Sequence, residues 1–92
     1  MQQKQAEIRA IDVLVWLIRN NELLPVFLSA TGVTAQDLRD QAGNPVFLGS
    51  VLDFVMLDDA WVMACCDQLG WPYEVLMQAR QALPGGQDVN WT

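Results

Sequence analysis

Helix stop and start signals punctuate this chain so densely that only short helices fit between them. Asn20-Asn21, Gly32, Gly43-Asn44-Pro45, Asp58-Asp59, Gly70 with Pro72, and Pro84-Gly85-Gly86 are residue types that end one helix or open the next. Between them apolar residues recur at three- and four-residue spacing, and strand-like alternation is nowhere sustained. The chain therefore reads as all-α, a compact bundle of five to six short helices. A single helical domain is expected over residues 1–86, with a flexible C-terminal tail over 87–92. At 52% apolar and 17% charged residues, the composition is far from that of a disordered chain.

The first helix is expected from Gln3 to Arg19, with Ile8, Ile11, Leu14, Val15 and Ile18 turned inward and Arg9, Asp12 and Arg19 outward. Val13 and Leu17 widen its apolar stripe beyond what a surface helix needs, which marks it as the central helix. Pro25 lacks an N–H and belongs in the first turn of the second helix, whose inner side is Leu23, Leu24, Phe27 and Thr31. Gly32 supplies the left-handed residue that ends it. Thr34 and Asp37 have capping-box spacing, and Val33 and Leu38 are placed as its hydrophobic staple, so a short third helix follows through Ala42.

Asn44 before Pro45 reads as an N-cap followed by proline at the first helical position. The fourth helix runs to about Leu57, burying Phe47, Leu48, Val51, Leu52, Phe54 and Val55, with Gly49, Ser50 and Asp53 opposite. Asp58 or Asp59 caps a fifth helix ending at Gly70. Pro72 opens a sixth, with Val75, Leu76, Ala79 and Leu83 inward. A shift of 38 residues lays residues 6–42 on 44–80 without a gap, matching Val13 with Val51, Leu14 with Leu52, Gly32 with Gly70 and Leu38 with Leu76. Identities are few, and shared helix periodicity alone can produce such a match; a genuine duplication would predict two pseudo-symmetric three-helix units related by a pseudo-twofold. Gly49, costing roughly 1 kcal/mol against alanine inside a helix, predicts a close helix crossing there.

Eleven acidic against five basic residues give a net charge of −6, and the bases Lys4, Arg9, Arg19, Arg39 and Arg80 are scattered singly. Such a surface repels nucleic acid and anionic membranes alike, so neither is an expected partner. The absence of histidine excludes Ser-His-Asp and Cys-His catalysis and His-bearing zinc sites. Neither GxGxxG nor GxxxxGK[ST] occurs. No catalytic, metal or cofactor-binding residue is therefore assigned, no cofactor is expected, and an enzyme is not expected. Cys65 and Cys66 are adjacent, and neighbours on a helix diverge by about 100°, so reduced core thiols are the simpler reading than a disulfide. Asp53, Asp58 and Asp59 gather at a helix junction without calcium-loop spacing; capping and solvation account for them. No run approaches the roughly 18 apolar residues of a membrane span, and Val13 to Ile18 has no cleavage-like site behind it, so a cytoplasmic location is expected.

Four tryptophans and four methionines exceed what a small core comfortably hides. Met63, Tyr73 and Met77 fall opposite the inner faces of their helices and form a candidate interaction surface. Trp16, at the edge of the core, with Phe54 and Trp61, is a candidate apolar pocket between helices.

The order Ala10-Ile11, Trp16-Leu17, Glu22-Leu23-Leu24, Phe27-Leu28, Thr31-Gly32, Asp37-Leu38-Arg39, Asn44-Pro45, Phe47-Leu48, Val51-Leu52-Asp53-Phe54, Ala79-Arg80 and Ala82-Leu83-Pro84-Gly85 resembles a domain-of-unknown-function family of small proteobacterial proteins, over residues 6–86. Its landmarks are capping and core residues. The resemblance implies a bacterial, cytoplasmic, all-α protein and carries over no catalytic residue. The leading expectation is thus a small acidic cytoplasmic non-enzymatic protein–protein interaction module, binding an unknown protein partner or itself as a homodimer. The alternative is a binder of a small apolar ligand between helices. A third reading, a helix-turn-helix DNA binder through Gly32 and the short helix after it, sets Asp37 and Asp40 against a single Arg39.

Overall fold

The structure is a computed structural model that describes residues 1–85; the expected flexible tail over 87–92 lies outside the described residues. Six helices follow one another: α1 (Gln3–Arg19), α2 (Leu23–Thr31), α3 (Ala35–Gln41), α4 (Pro45–Val55), α5 (Asp59–Leu69) and α6 (Val75–Ala82). None of them is long and apolar enough to cross a membrane.

The local signals act as their chemistry dictates. Asn20 Oδ1 accepts from the backbone N–H groups of Glu22 and Leu23 at 3.1 and 3.0 Å, opening α2. Thr34 and Asp37 form the reciprocal capping box of α3. Asn44 accepts from Val46 N–H and Asp58 from Ala60 N–H, satisfying free donors at the starts of α4 and α5. Gly32 and Gly70 take left-handed conformations at φ 74° and 73°. After Gly70 the Trp71 N–H reaches back to the Cys66 carbonyl at 2.9 Å and closes the end of α5. Three boundaries move: α3 ends at Gln41, α4 stops at Val55, and α6 begins at Val75, with Pro72 to Glu74 forming a turn closed by Val75 N–H on the Pro72 carbonyl.

α1 is the spine. α4 and α6 both pack along it, α6 also meets α4, and α2 lies against it. The side of α1 turned to these neighbours is Ala6, Ala10, Val13, Leu14 and Leu17, all buried. This reverses most of the expected orientation: Leu14 is inside, but Ile8, Ile11, Val15 and Ile18 are 55%, 40%, 43% and 42% exposed. Alanine has no side chain beyond Cβ, so helices can lie close along this face. The isoleucines are left on the crest.

Aromatic rings join α2, α4 and α5. Phe27 of α2 meets Phe47 and Phe54 of α4 edge-on, with centroids 6.4 and 5.1 Å apart, and Phe54 stacks on Trp61 of α5 at 5.0 Å. Leu76, Ala79 and Leu83 close the core from α6 and the turn after it.

The 38-residue correspondence holds locally and fails globally. Asn20 and Asp58 cap equivalent helices, Gly32 and Gly70 share one conformation, and Val13, Val51, Leu38 and Leu76 are all buried. Yet α6 packs against both α1 and α4, whereas its counterpart α3 forms no comparable contact and buries only Leu38. The helices repeat in order, but the packing is not that of a pseudo-twofold.

Gly49 is buried, not on the outer side of α4, and what approaches it is a side chain. A Cβ there would lie 2.8 Å from Arg80 Nη1 and 3.1 Å from Cζ. Arg80 crosses this gap, donates from Nε to Asp53 Oδ1 at 2.6 Å and from Nη1 to the Pro84 carbonyl at 3.1 Å. It ties α4 to α6 and to the turn that ends α6. Asp53 is largely exposed, so the ion pair itself contributes under about 1 kcal/mol. Arg80→Ala, which also removes packing and the carbonyl bond, is expected to cost about 1–2 kcal/mol in urea unfolding, more than Asp53→Ala. Gly49→Ala should be neutral or destabilising in the wild type but stabilising, by up to about 1 kcal/mol, alongside Arg80→Ala. The same sign in both backgrounds would show that Arg80 is not what requires glycine.

Candidate functional site

Two features of the surface carry potential for recognition, and α1 contributes to both. Ile8, Ile11, Val15 and Ile18 are spaced three, four and three residues apart, so on a 3.6-residue helix they share one sector. That sector lies opposite Ala6, Ala10, Val13 and Leu17. The four form a continuous apolar stripe of β-branched side chains along the outside of α1. Its extent is on the order of a few hundred Å², the size of the largest apolar patch on a typical monomer.

Beside the stripe an open groove of about 610 Å³ runs between the end of α1, the turn into α2 and the end of α5; Val15, Trp16, Arg19, Glu22 and Leu69 are among its walls. Trp16 is half-buried and Val15 belongs to both stripe and groove. Two helical turns before Trp16, the Arg9 guanidinium lies 4.7 Å from the centroid of Trp71, a cation–π contact fastening the segment after α5 to α1.

The candidate pocket of Trp16, Phe54 and Trp61 is not one site. Phe54 is buried in the aromatic row and covered by Trp61, which is half-buried; Trp16 faces the groove, to whose walls neither Phe54 nor Trp61 contributes. Met63, Tyr73 and Met77 are exposed, but they stand on three elements: α5, the turn before α6, and α6. The Tyr73 hydroxyl donates to Asp67 Oδ1 at 2.9 Å, which holds the phenol above its ordinary pKa. The α1 stripe, missed as a surface because its residues are core-like in type, is the more coherent exposed feature.

The carboxylates near the α4–α5 junction have structural partners, Asp53 with Arg80 and Asp58 with Ala60 N–H. Among the described residues no three Cys, Asp or Glu side chains converge on a point where a metal could be held. In α3, Asp37 is engaged in its cap and Asp40 accepts from Gln36 at 3.1 Å.

With this geometry in view, one comparison decides membership. A family model described as "Protein of unknown function (DUF3572)" matches residues 3–86. The chain belongs to the DUF3572 family. No curated protein and no solved structure matches it. The DUF3572 match spans all six helices, from the first residue of α1 to just past the Pro84-Gly85 turn.

Cys65 and Cys66 are free and buried in α5. Burial, and then the neighbouring Cys66, push the Cys65 thiol up from 9.0 to about 12; burial foremost, then Asp67 and Glu74, raise Cys66. Since the thiolate is the reactive form, both thiols are inert at neutral pH while the fold is intact. Alkylation by iodoacetamide should proceed only as fast as unfolding exposes the thiols, and faster labelling would mean that α5 opens locally. Raised thiol pKa values also fix the sign of a pH effect. Below the unfolded pKa both states keep the protons; above it the unfolded chain loses them first. Stability should therefore fall as pH rises from about 9 toward 12, less steeply in Cys65→Ala, as urea titrations at several pH values would measure.

Proposed function

We propose that this DUF3572 chain is a non-enzymatic, cytoplasmic protein–protein interaction domain whose contact surface is the outer face of α1. One observation carries the reading: four in-phase β-branched side chains are exposed on the helix around which the core is built. Single exposed apolar residues are ordinary, but a stripe at three- and four-residue spacing is the form in which a helix presents itself to a protein. Because the opposite face of α1 is held by α4 and α6, the stripe is rigid, and little ordering entropy opposes binding.

A photo-crosslinking side chain placed at Ile11 should capture protein in cells, whereas one at the exposed Gln36 of α3 should not. Ile11→Glu should leave stability within about 0.5 kcal/mol of wild type while reducing complex formation at least about tenfold. Equal capture from both positions would remove this face from consideration.

The groove at Trp16 supports a second reading, small-ligand binding, with a changed ligand class. Asp12, Arg19 and Glu22 stand among its walls beside Val15 and Leu69, so it suits an amphipathic molecule better than a wholly apolar one. A ligand that shifts tryptophan emission saturably in the wild type should lose that effect in Trp16→Leu; a shift that survives would place the ligand elsewhere.

A further inference from the structure

We infer that the occupant of this face is a second copy of the chain, with the two α1 helices packed antiparallel; the inference rests on reading the outer face of α1 as a contact surface. The stripe is palindromic. Ile8, Ile11, Val15 and Ile18 have the same three-four-three spacing read in either direction. A twofold axis between Ile11 and Val15 therefore sets Ile8 against Ile18 of the second copy and Ile11 against its Val15, so every apolar residue meets an apolar one. Isologous contacts of this kind occur twice in one dimer.

The ends of the stripe select the direction. Lys4 lies four residues before Ile8, and Glu22 lies four residues after Ile18. Both are exposed. Glu22, just past the end of α1, lines the groove with Asp12, Val15 and Arg19, and so stands beside the C-terminal half of the stripe on its Asp12 and Arg19 flank. Antiparallel pairing brings Lys4 of each chain to Glu22 of the other. Parallel pairing would set Lys4 against Lys4. On one flank Arg19 then falls toward the exposed Gln5 of the second copy, and Asp12, near the axis, falls beside its own copy, the one unfavourable charge contact in this register.

Size sets the strength. A 17-residue helix is about 25 Å long, and two such helices side by side bury a total near the low end of specific interfaces, about 1,000 Å². The dimer is accordingly reversible and concentration-dependent.

Sedimentation velocity on the full chain, from about 5 to about 500 μM at physiological ionic strength, tests this. The wild type should shift from one chain toward two as concentration rises. Lys4→Glu and Glu22→Lys should each weaken association about three- to tenfold, since both contacts in the dimer become like-charged. An equimolar mixture of these two variants should recover association, because in the mixed dimer each reversed charge meets its complement. Asp12→Asn should tighten it. All three positions are exposed, and circular dichroism checks that the fold is kept. A wild type that remains a single chain throughout, single variants that associate as wild type does, or a mixture no better than its components would each overturn the antiparallel dimer. A single-chain wild type whose Ile11 position still captures a different protein would remove self-pairing and leave the interaction reading standing; failure of both would remove both.

Discussion

The close packing of α4 and α6 along one side of α1 is the constraint on which the rest of the molecule depends. Ala6 and Ala10 lie on that side with Val13, Leu14 and Leu17, and α4 and α6 also meet each other across it. A small domain can build only one core, so once the alanine side is inside, the opposite side of the same helix faces solvent whatever its chemistry. The exposed isoleucines follow from this geometry. They are left outside because α4, α6 and α2 pack on the other side of the same helix.

What could be read from residue types was local. Caps, proline positions and left-handed glycines depend on neighbours within a few residues, and Asn20, Gly32, Thr34, Asn44, Asp58 and Gly70 all serve as their chemistry suggests. The direction in which α1 faces is not local. Hydrophobicity ranks isoleucine far above alanine, and that ranking points Ile8 and Ile11 inward; the structure instead ranks sides by how closely helices can approach. A signal was present all the same, since α1 is apolar on two opposite sides and one core cannot take both. Likewise the need for glycine at position 49 was legible as a close approach, but its cause, Arg80, is 31 residues away in the chain and comes near only when α6 packs on α4.

The candidate sites divide along the same line. Phe54 and Trp61 meet because α4 and α5 do, whereas Trp16 is drawn to a groove by the turn at Asn20 and by the end of α5. Chemical type alone groups these residues, and the fold distributes them among different tasks. Arg9 and Trp71 show the converse. Neither is a motif, yet their contact fastens the segment after α5 to the spine and so helps shape the molecule next to the groove.

Charge bears on which partner the α1 face can hold. At −6, two copies of this chain repel at long range, which opposes self-association in dilute buffer. At physiological ionic strength the screening length is about 8 Å, so repulsion between distant charges is largely removed while contacts at the interface persist in part. Burial of isoleucine and valine does not share that dependence on charge screening. Salt therefore acts on the antiparallel pair in two opposing ways, relieving the general repulsion and weakening the Lys4–Glu22 contacts. The apolar stripe carries the affinity, and the charges at its ends choose the direction. A basic partner would instead gain from the net charge and lose affinity steadily as salt rises, because both its long-range attraction and its contacts are screened.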